Sequence, residues 1–123
     1  MSFTIQDMML TAETRYEMKF LAGKNGWSNS ISWVHLLEDT TIIQNFWGKE
    51  LAVTTGLGFP DKEDWMRLAI QLNRHHASGL IINVGQYIHE VPEELKMYCD
   101  ENDLPLLTVP WKVHLSDMIK DFS

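Results

Sequence analysis

The sequence predicts an α/β fold: a single domain with a mainly parallel sheet of about four to five strands, joined by crossover helices in two or three layers. Three short apolar runs, residues 51–56 (LAVTTG), 80–85 (LIINVG) and 106–111 (LLTVPW), each end in a polar or glycine-containing turn. The intervals between them contain helix-like segments and are long enough for a strand, a helix and a return. Such crossovers are almost always right-handed.

Bulk composition restricts the class of protein. A chain of 123 residues with 45% hydrophobic residues suits one globular domain. The single cysteine excludes an internal disulfide and indicates a cytoplasmic compartment, and no apolar run is long enough to span a membrane. A net charge of −7 with scattered basic residues argues against nucleic-acid binding by this chain alone.

The first third of the chain predicts a short helix and two strands. Thr4 and Asp7 have capping-box spacing, which favours a helix start. Residues 17–22 alternate imperfectly and predict a strand, followed by a turn-rich loop over 23–30 and a second strand over 31–37. The pattern leaves open whether the strands around Phe20 and Trp33 join the parallel sheet or form an antiparallel flap.

Helical spacing over residues 39–47 predicts a short helix closed by Gly48, before a buried strand over 51–54. Asp61 is the expected N-cap of the best helix, which should stop near Ser78 and precede a strand over 80–84. The apolar face of this helix comprises Trp65, Leu68, Ala69, Leu72 and His76.

Pro92 suits the first position of another helix, with Leu95, Tyr98 and Cys99 facing inward, and residues 102–103 end it. A strand over 106–109 follows. The last helix should contain Leu115, Met118, Ile119 and Phe122. It shows no stop signal before Ser123, so we expect the natural chain to continue.

In open parallel sheets, ligands bind outside the carboxyl ends of the strands. Those ends carry hydroxyl, amide and glycine positions that suit a polar small molecule. The simpler alternative is that the glycines only form strand-to-helix turns. The candidate ligand-binding residues are His35, Glu38, Thr54, Thr55, Gly56, Asn83, Gly85 and Trp111.

Signals for catalysis, metal or a cofactor are weak. His35 and Glu38 have no second HxxE or HExxH element to complete a metal site, and no GxSxG, GxGxxG or GxxxxGK motif occurs. His75 and His76 point about 100° apart and should lie at the opposite edge of the sheet. We therefore expect neither an enzyme nor a bound cofactor or metal, with Cys99 a buried, inert thiol.

Five tryptophans are many for this length. Trp33 and Trp65 fit core positions, whereas Trp27, Trp47 and Trp111 lie in loops or at element ends. The latter three are candidates for an interface or a pocket lid.

Several motifs together resemble the N-terminal domain of PucR-type (purine catabolism regulator) transcription factors over nearly the whole chain. They are residues 23–26 (GKNG), 31–38 (ISWVHLLE), 48–56 (GKELAVTTG), 85–87 (GQY), 91–95 (VPEEL) and 104–110 (LPLLTVP). The resemblance implies a cytoplasmic bacterial regulator whose N-terminal domain senses a metabolite or mediates assembly. The resemblance also implies a separate C-terminal helix-turn-helix region that binds DNA.

This chain has no such basic C-terminal region, so residues 1–123 are expected to be the regulatory domain of a longer regulator. Its expected partners are a small metabolite and either a second copy or the DNA-binding part, without direct contact to nucleic acid or membrane. The leading hypothesis is a ligand-sensing domain. The alternatives are an interaction module using Trp47, Trp111 and the last helix, and a small enzyme, which lacks a convincing nucleophile or metal site.

Overall fold

A computed structural model describes residues 2–122, with four α-helices and five strands in that range. The elements in chain order are α1 (Ile5–Arg15), β1 (Lys19–Ala22), β2 (Trp33–Leu36), β3 (Glu50–Thr54), α2 (Lys62–Arg74), β4 (Gly79–Val84), α3 (Glu93–Glu101), β5 (Leu106–Pro110) and α4 (Leu115–Phe122). Two 3₁₀ turns, Lys24–Gly26 and Thr41–Asn45, lie in the loops before β2 and β3.

The strands form one sheet in the order β1-β5-β4-β3-β2. Strands β2 to β5 are parallel, and β1 pairs antiparallel with β5. Leu51 is opposite Gly79 and Leu80 is opposite Leu106, so the three apolar runs begin within one residue of each other across the sheet. The predicted fold class is confirmed. The open question about the early strands is answered, since both join this sheet.

Helices cover both faces of the sheet, which makes three layers. On one face α2 and α3 pack on sheet side chains such as Ala52, Leu80 and Ile82. On the other face α1 and α4 pack on side chains such as Leu51 and Val53. Neighbouring residues of one strand therefore serve different cores, and the central strands are apolar throughout because both faces are buried. In residues 2–122, no helix has the length and apolar content needed to cross a membrane.

The predicted helix starts are confirmed where a capping side chain is present. The Thr4 hydroxyl accepts a hydrogen bond from the backbone N–H of Asp7 at 3.1 Å, and the Asp7 carboxylate accepts one from the N–H of Thr4. At α2, the N–H of Asp61 donates to the Asp64 carboxylate at 3.0 Å. These bonds satisfy amide groups that the first helical turn leaves unpaired.

Four predictions needed correction. Pro92 is the N-cap of α3 rather than its first residue, because its ψ of 139° is extended. Residues 39–47 contain only a 3₁₀ turn, and α2 ends at Arg74, before Ser78. The fourth concerns Trp33, whose side chain is 59% exposed. Its strand, β2, is at the edge of the sheet, where alternation no longer implies burial.

Candidate functional site

A carboxylate joins the ends of β2 and β3. Glu38, just after β2, accepts hydrogen bonds from the Thr54 hydroxyl at 2.8 Å, the Thr55 backbone N–H at 2.9 Å and the Thr55 hydroxyl at 2.6 Å. The Thr54 hydroxyl in turn accepts from the N–H of Gly56. The end of β3 is thus a cluster of donors directed at one acceptor group, and Glu38 occupies it.

Close backbone approach brings Glu38 to this position. A Cβ atom at Gly58 would lie 1.4 Å from the carbonyl oxygen of Glu38, so only glycine lets the two loops touch here. A β-carbon on Gly56 would lie 3.2 Å from both Ile88 and Trp65. The loop after β3 is therefore in contact with the loop after β4.

The ends of β4 and β5 carry an aromatic pair. The rings of Tyr87 and Trp111 are nearly perpendicular, with centroids 5.8 Å apart, and both side chains remain partly exposed. Gly85 has a φ of +132°, and a Cβ there would lie 2.8 Å from the Cβ of Trp111. Asn83 donates from its side-chain amide to the Pro110 carbonyl at 2.9 Å.

Seven of the eight predicted site residues lie within the last two residues of a strand or after its end, along one continuous edge, which we call the carboxyl edge. They are Glu38, Thr54, Thr55, Gly56, Asn83, Gly85 and Trp111. His35 is different: it lies within β2 opposite Ala52, and its ring stacks on Phe46 with centroids 5.1 Å apart. The site predicted from the sequence contained neither Tyr87 nor Phe46, because ring contacts between residues distant in the sequence leave no periodic signal.

The histidine pair lies at the opposite edge, as predicted. The carbonyl of His76 accepts a hydrogen bond from the N–H of Lys49 just before β3. A polar cavity of about 330 Å³ opens beside it, and Lys49, His76, Ser78 and Asp103 are among its lining residues. We call it the amino-edge cavity.

The amino-edge cavity has two features that the sequence did not predict. Lys49, His76 and Asp103 all adopt positive φ values, of 71°, 58° and 53°. Left-handed non-glycine residues store backbone strain and cluster at functional sites. Among residues 2–122, the buried Ser78 hydroxyl finds no hydrogen-bond partner. No local sequence pattern encodes either feature, since both depend on how the loops meet.

Two other predicted features can be located. Cys99 is fully buried on α3, and burial raises the pKa of its thiol to about 12, so it is inert at neutral pH. Trp47 precedes β3 and is 97% exposed, whereas Trp111 follows β5 at the other edge. Trp47 and Trp111 therefore lie at opposite ends of the strands, so one flat surface does not contain both side chains. Across residues 2–122, no group of three or more His, Cys, Asp or Glu side chains is arranged to hold a metal.

The sequence profile of the purine catabolism regulatory protein-like family matches residues 8–123, nearly the whole chain. The chain belongs to this family. It is also similar to the purine catabolism regulatory protein of Bacillus subtilis (strain 168), with 25% identity over 100 residues. That match covers 80% of this chain but only 19% of the relative, so the chain spans about a fifth of that protein. The resemblance predicted from the motifs is confirmed at the level of the family.

Proposed function

We propose that this domain is the ligand-sensing regulatory part of a longer bacterial transcription regulator in the cytoplasm, and that it has no catalytic role. Three observations support the proposal. The chain belongs to a family described as regulatory, the relative is about five times longer than the matched segment, and the net charge of −7 leaves DNA contact to another part of the protein. The ligand is a small polar metabolite bound at the carboxyl edge.

The proposal rests on the cluster of hydrogen-bond donors that Glu38 occupies at the end of β3. Two hydroxyls and one amide from Thr54 and Thr55 converge on a single carboxylate. Such a set would bind a carboxylate or carbonyl of a ligand equally well. Glu38 then acts as an internal substitute, and an incoming acid competes with it for the same donors. The exposed Tyr87–Trp111 pair provides an adjacent apolar surface for a planar ligand.

Displacement of Glu38 would give the domain two states. With Glu38 in place, the loop after β2 is held to the end of β3. With ligand in place, that loop is released, so ligand binding shifts the equilibrium by its different affinity for the two states. His35 lies on β2, and its stacking on Phe46 connects the strand to the loop that would move.

The test is to measure, by calorimetry, the binding of a panel of purine bases and nitrogen compounds derived from them. This class of compound is suggested by the relative's name. Glu38→Ala should tighten binding because it removes the competitor, and Thr55→Val should weaken it because it removes a donor. Thr14→Val, on the exposed side of α1, is the matched control and should change nothing. If no compound binds, or if Glu38→Ala and Thr55→Val change affinity in the same direction, the displacement mechanism is wrong.

Ligand binding at the amino-edge cavity is the competing location. Ser78→Ala should leave affinity unchanged if the ligand binds at the carboxyl edge. A loss of affinity in Ser78→Ala, without any in Thr55→Val, would move the sensor site to the opposite edge.

Assembly is a second candidate function, and a specific observation favours it. The edge strand β2 exposes Trp33 and Leu36, although large apolar side chains on a free strand edge promote association. In this role the domain would join two regulator chains, with or without a ligand.

A further inference from the structure

The two outermost strands of the sheet, β1 and β2, differ in how they are protected against pairing with another strand. The β1 edge carries Lys19 and a register shift between Phe20 and Ala22, two features that discourage pairing with another strand. The β2 edge, Trp33–Leu36, pairs in unbroken register with β3 and contains no lysine, acid, proline or bulge. Trp33 and Leu36 are 59% and 52% exposed there.

The backbone of β2 has hydrogen-bonding groups directed away from the sheet. Successive residues of a strand direct their N–H and C=O groups to alternate sides. The N–H of Ser32 donates to the carbonyl of Lys49 next to β3, so the groups of Ile31, Trp33 and His35 face outward. The N–H of Ile31 donates to the carbonyl of Phe3, so the outward groups open to a partner strand are those of Trp33 and His35. Within the described residues, no hydrogen bond outside the β2–β3 ladder involves the backbone of either residue.

We propose that β2 pairs antiparallel with β2 of a second copy of this chain, so that one sheet runs through both domains. This inference rests on the assembly role proposed above. The two-fold axis passes between the Val34 residues of the two copies. Trp33 of each copy then faces His35 of the other, and these two residues exchange their outward N–H and C=O groups.

The side chains of this pairing are self-complementary. Val34 belongs to the core under α1 and α4, so Trp33 and His35 point to the opposite face, where Phe46 already stacks on His35. Each indole would therefore meet an imidazole and a phenyl ring of the other copy, a favourable cross-strand aromatic contact. Leu36 lies on the Val34 side and extends the apolar contact there.

Symmetry favours a second copy over another partner. Two chains that each carry a net charge of −7 repel one another, but β2 has no charged side chains, so it is the approach with the least local repulsion. An antiparallel strand pair about a two-fold axis places the same patch on both sides, which is the common geometry of homodimers.

The test is sedimentation velocity over a wide concentration range. The wild-type domain should dimerise, and Trp33→Lys should raise the dimer Kd about tenfold or more, because it places a charge on each side of the pair. Trp27→Lys is the matched control: this tryptophan is also about half exposed, at 52%, but lies in the loop before β2. Leu36→Lys provides a second disruptive variant, and circular dichroism verifies that each variant is folded.

Backbone pairing has its own readouts. Trp33→Pro and Trp33→Ala both remove the indole, but only proline removes the outward N–H, so Trp33→Pro should weaken the dimer further. Hydrogen exchange at His35 should slow as concentration rises. A dimer that Trp33→Lys and Leu36→Lys leave intact would overturn this pairing but preserve assembly. A domain that is monomeric at every concentration would overturn both, and neither result affects the ligand experiment.

Discussion

Removal of the Glu38 carboxylate should destabilise the fold by a calculable amount. Glu38→Ala leaves three donors without an acceptor: the hydroxyls of Thr54 and Thr55 and the N–H of Thr55. The Thr54 side chain is fully buried and cannot turn to water, whereas Thr55 is half-buried and can partly rehydrate. An unsatisfied buried donor costs about 1–3 kcal/mol, so we expect the free energy of unfolding to fall by about 2–4 kcal/mol.

Urea denaturation measures this loss, and added acetate tests its cause. Acetate supplies a free carboxylate that fits the vacated acceptor position, so it should restore part of the stability of Glu38→Ala by mass action. The wild-type domain and Glu90→Ala, an exposed loop glutamate, should not respond in this way. A loss below about 0.5 kcal/mol, the range of ordinary surface substitutions, would refute the reasoning. An equal acetate effect in all three proteins would do the same.

Three further predictions concern the rest of the fold. Cys99 should not react with a thiol reagent at neutral pH until the domain unfolds, since burial raises its thiol pKa to about 12; rapid labelling of the native protein would contradict this. Gly23→Ala should be more destabilising in urea than Gly48→Ala by about 2 kcal/mol or more. Both glycines have positive φ, but a Cβ on Gly23 would lie 2.0 Å from the Leu104 carbonyl oxygen, whereas a Cβ on Gly48 would be 3.8 Å from its nearest neighbour. Equal losses of stability in the two variants would be inconsistent with this packing. The pKa of Asp121 is lowered, chiefly by the hydrogen bond from Tyr16. The Asp121 carboxylate therefore stabilises the fold at pH values above the ordinary aspartate pKa, and this contribution is lost as the pH falls through the lowered pKa. The stability difference between wild type and Asp121→Asn should therefore shrink on acidification, and a difference that grows would have the wrong sign.

The central strands could be predicted because burial on both faces leaves continuous apolar runs. Residues 51, 80 and 106 start runs that align within one residue across β3, β4 and β5. The direction of β1 could not be predicted, because four residues of weak alternation carry no information about which way a strand pairs. Alternation predicts a core position for Trp33 because it identifies a face of the sheet, whereas exposure depends on position within the sheet.

The candidate site was predictable only in outline. Strand ends in a parallel sheet share an edge, which located Thr55, Gly85 and Trp111 together. The bonding of Glu38 to Thr55 depends on loop contact at Gly58, which no local pattern reveals. The amino-edge cavity depends on residues in left-handed conformations, and these are set by tertiary packing rather than by residue type.

The most direct test of the sensing mechanism is a map of backbone amide chemical shifts during titration with a metabolite that binds. We expect the largest changes at Thr55 and Gly56, where Glu38 is displaced, with smaller ones at Gly85 and Trp111. Changes confined to residues around Ser78, or no change at Thr55 when the site is saturated, would contradict it.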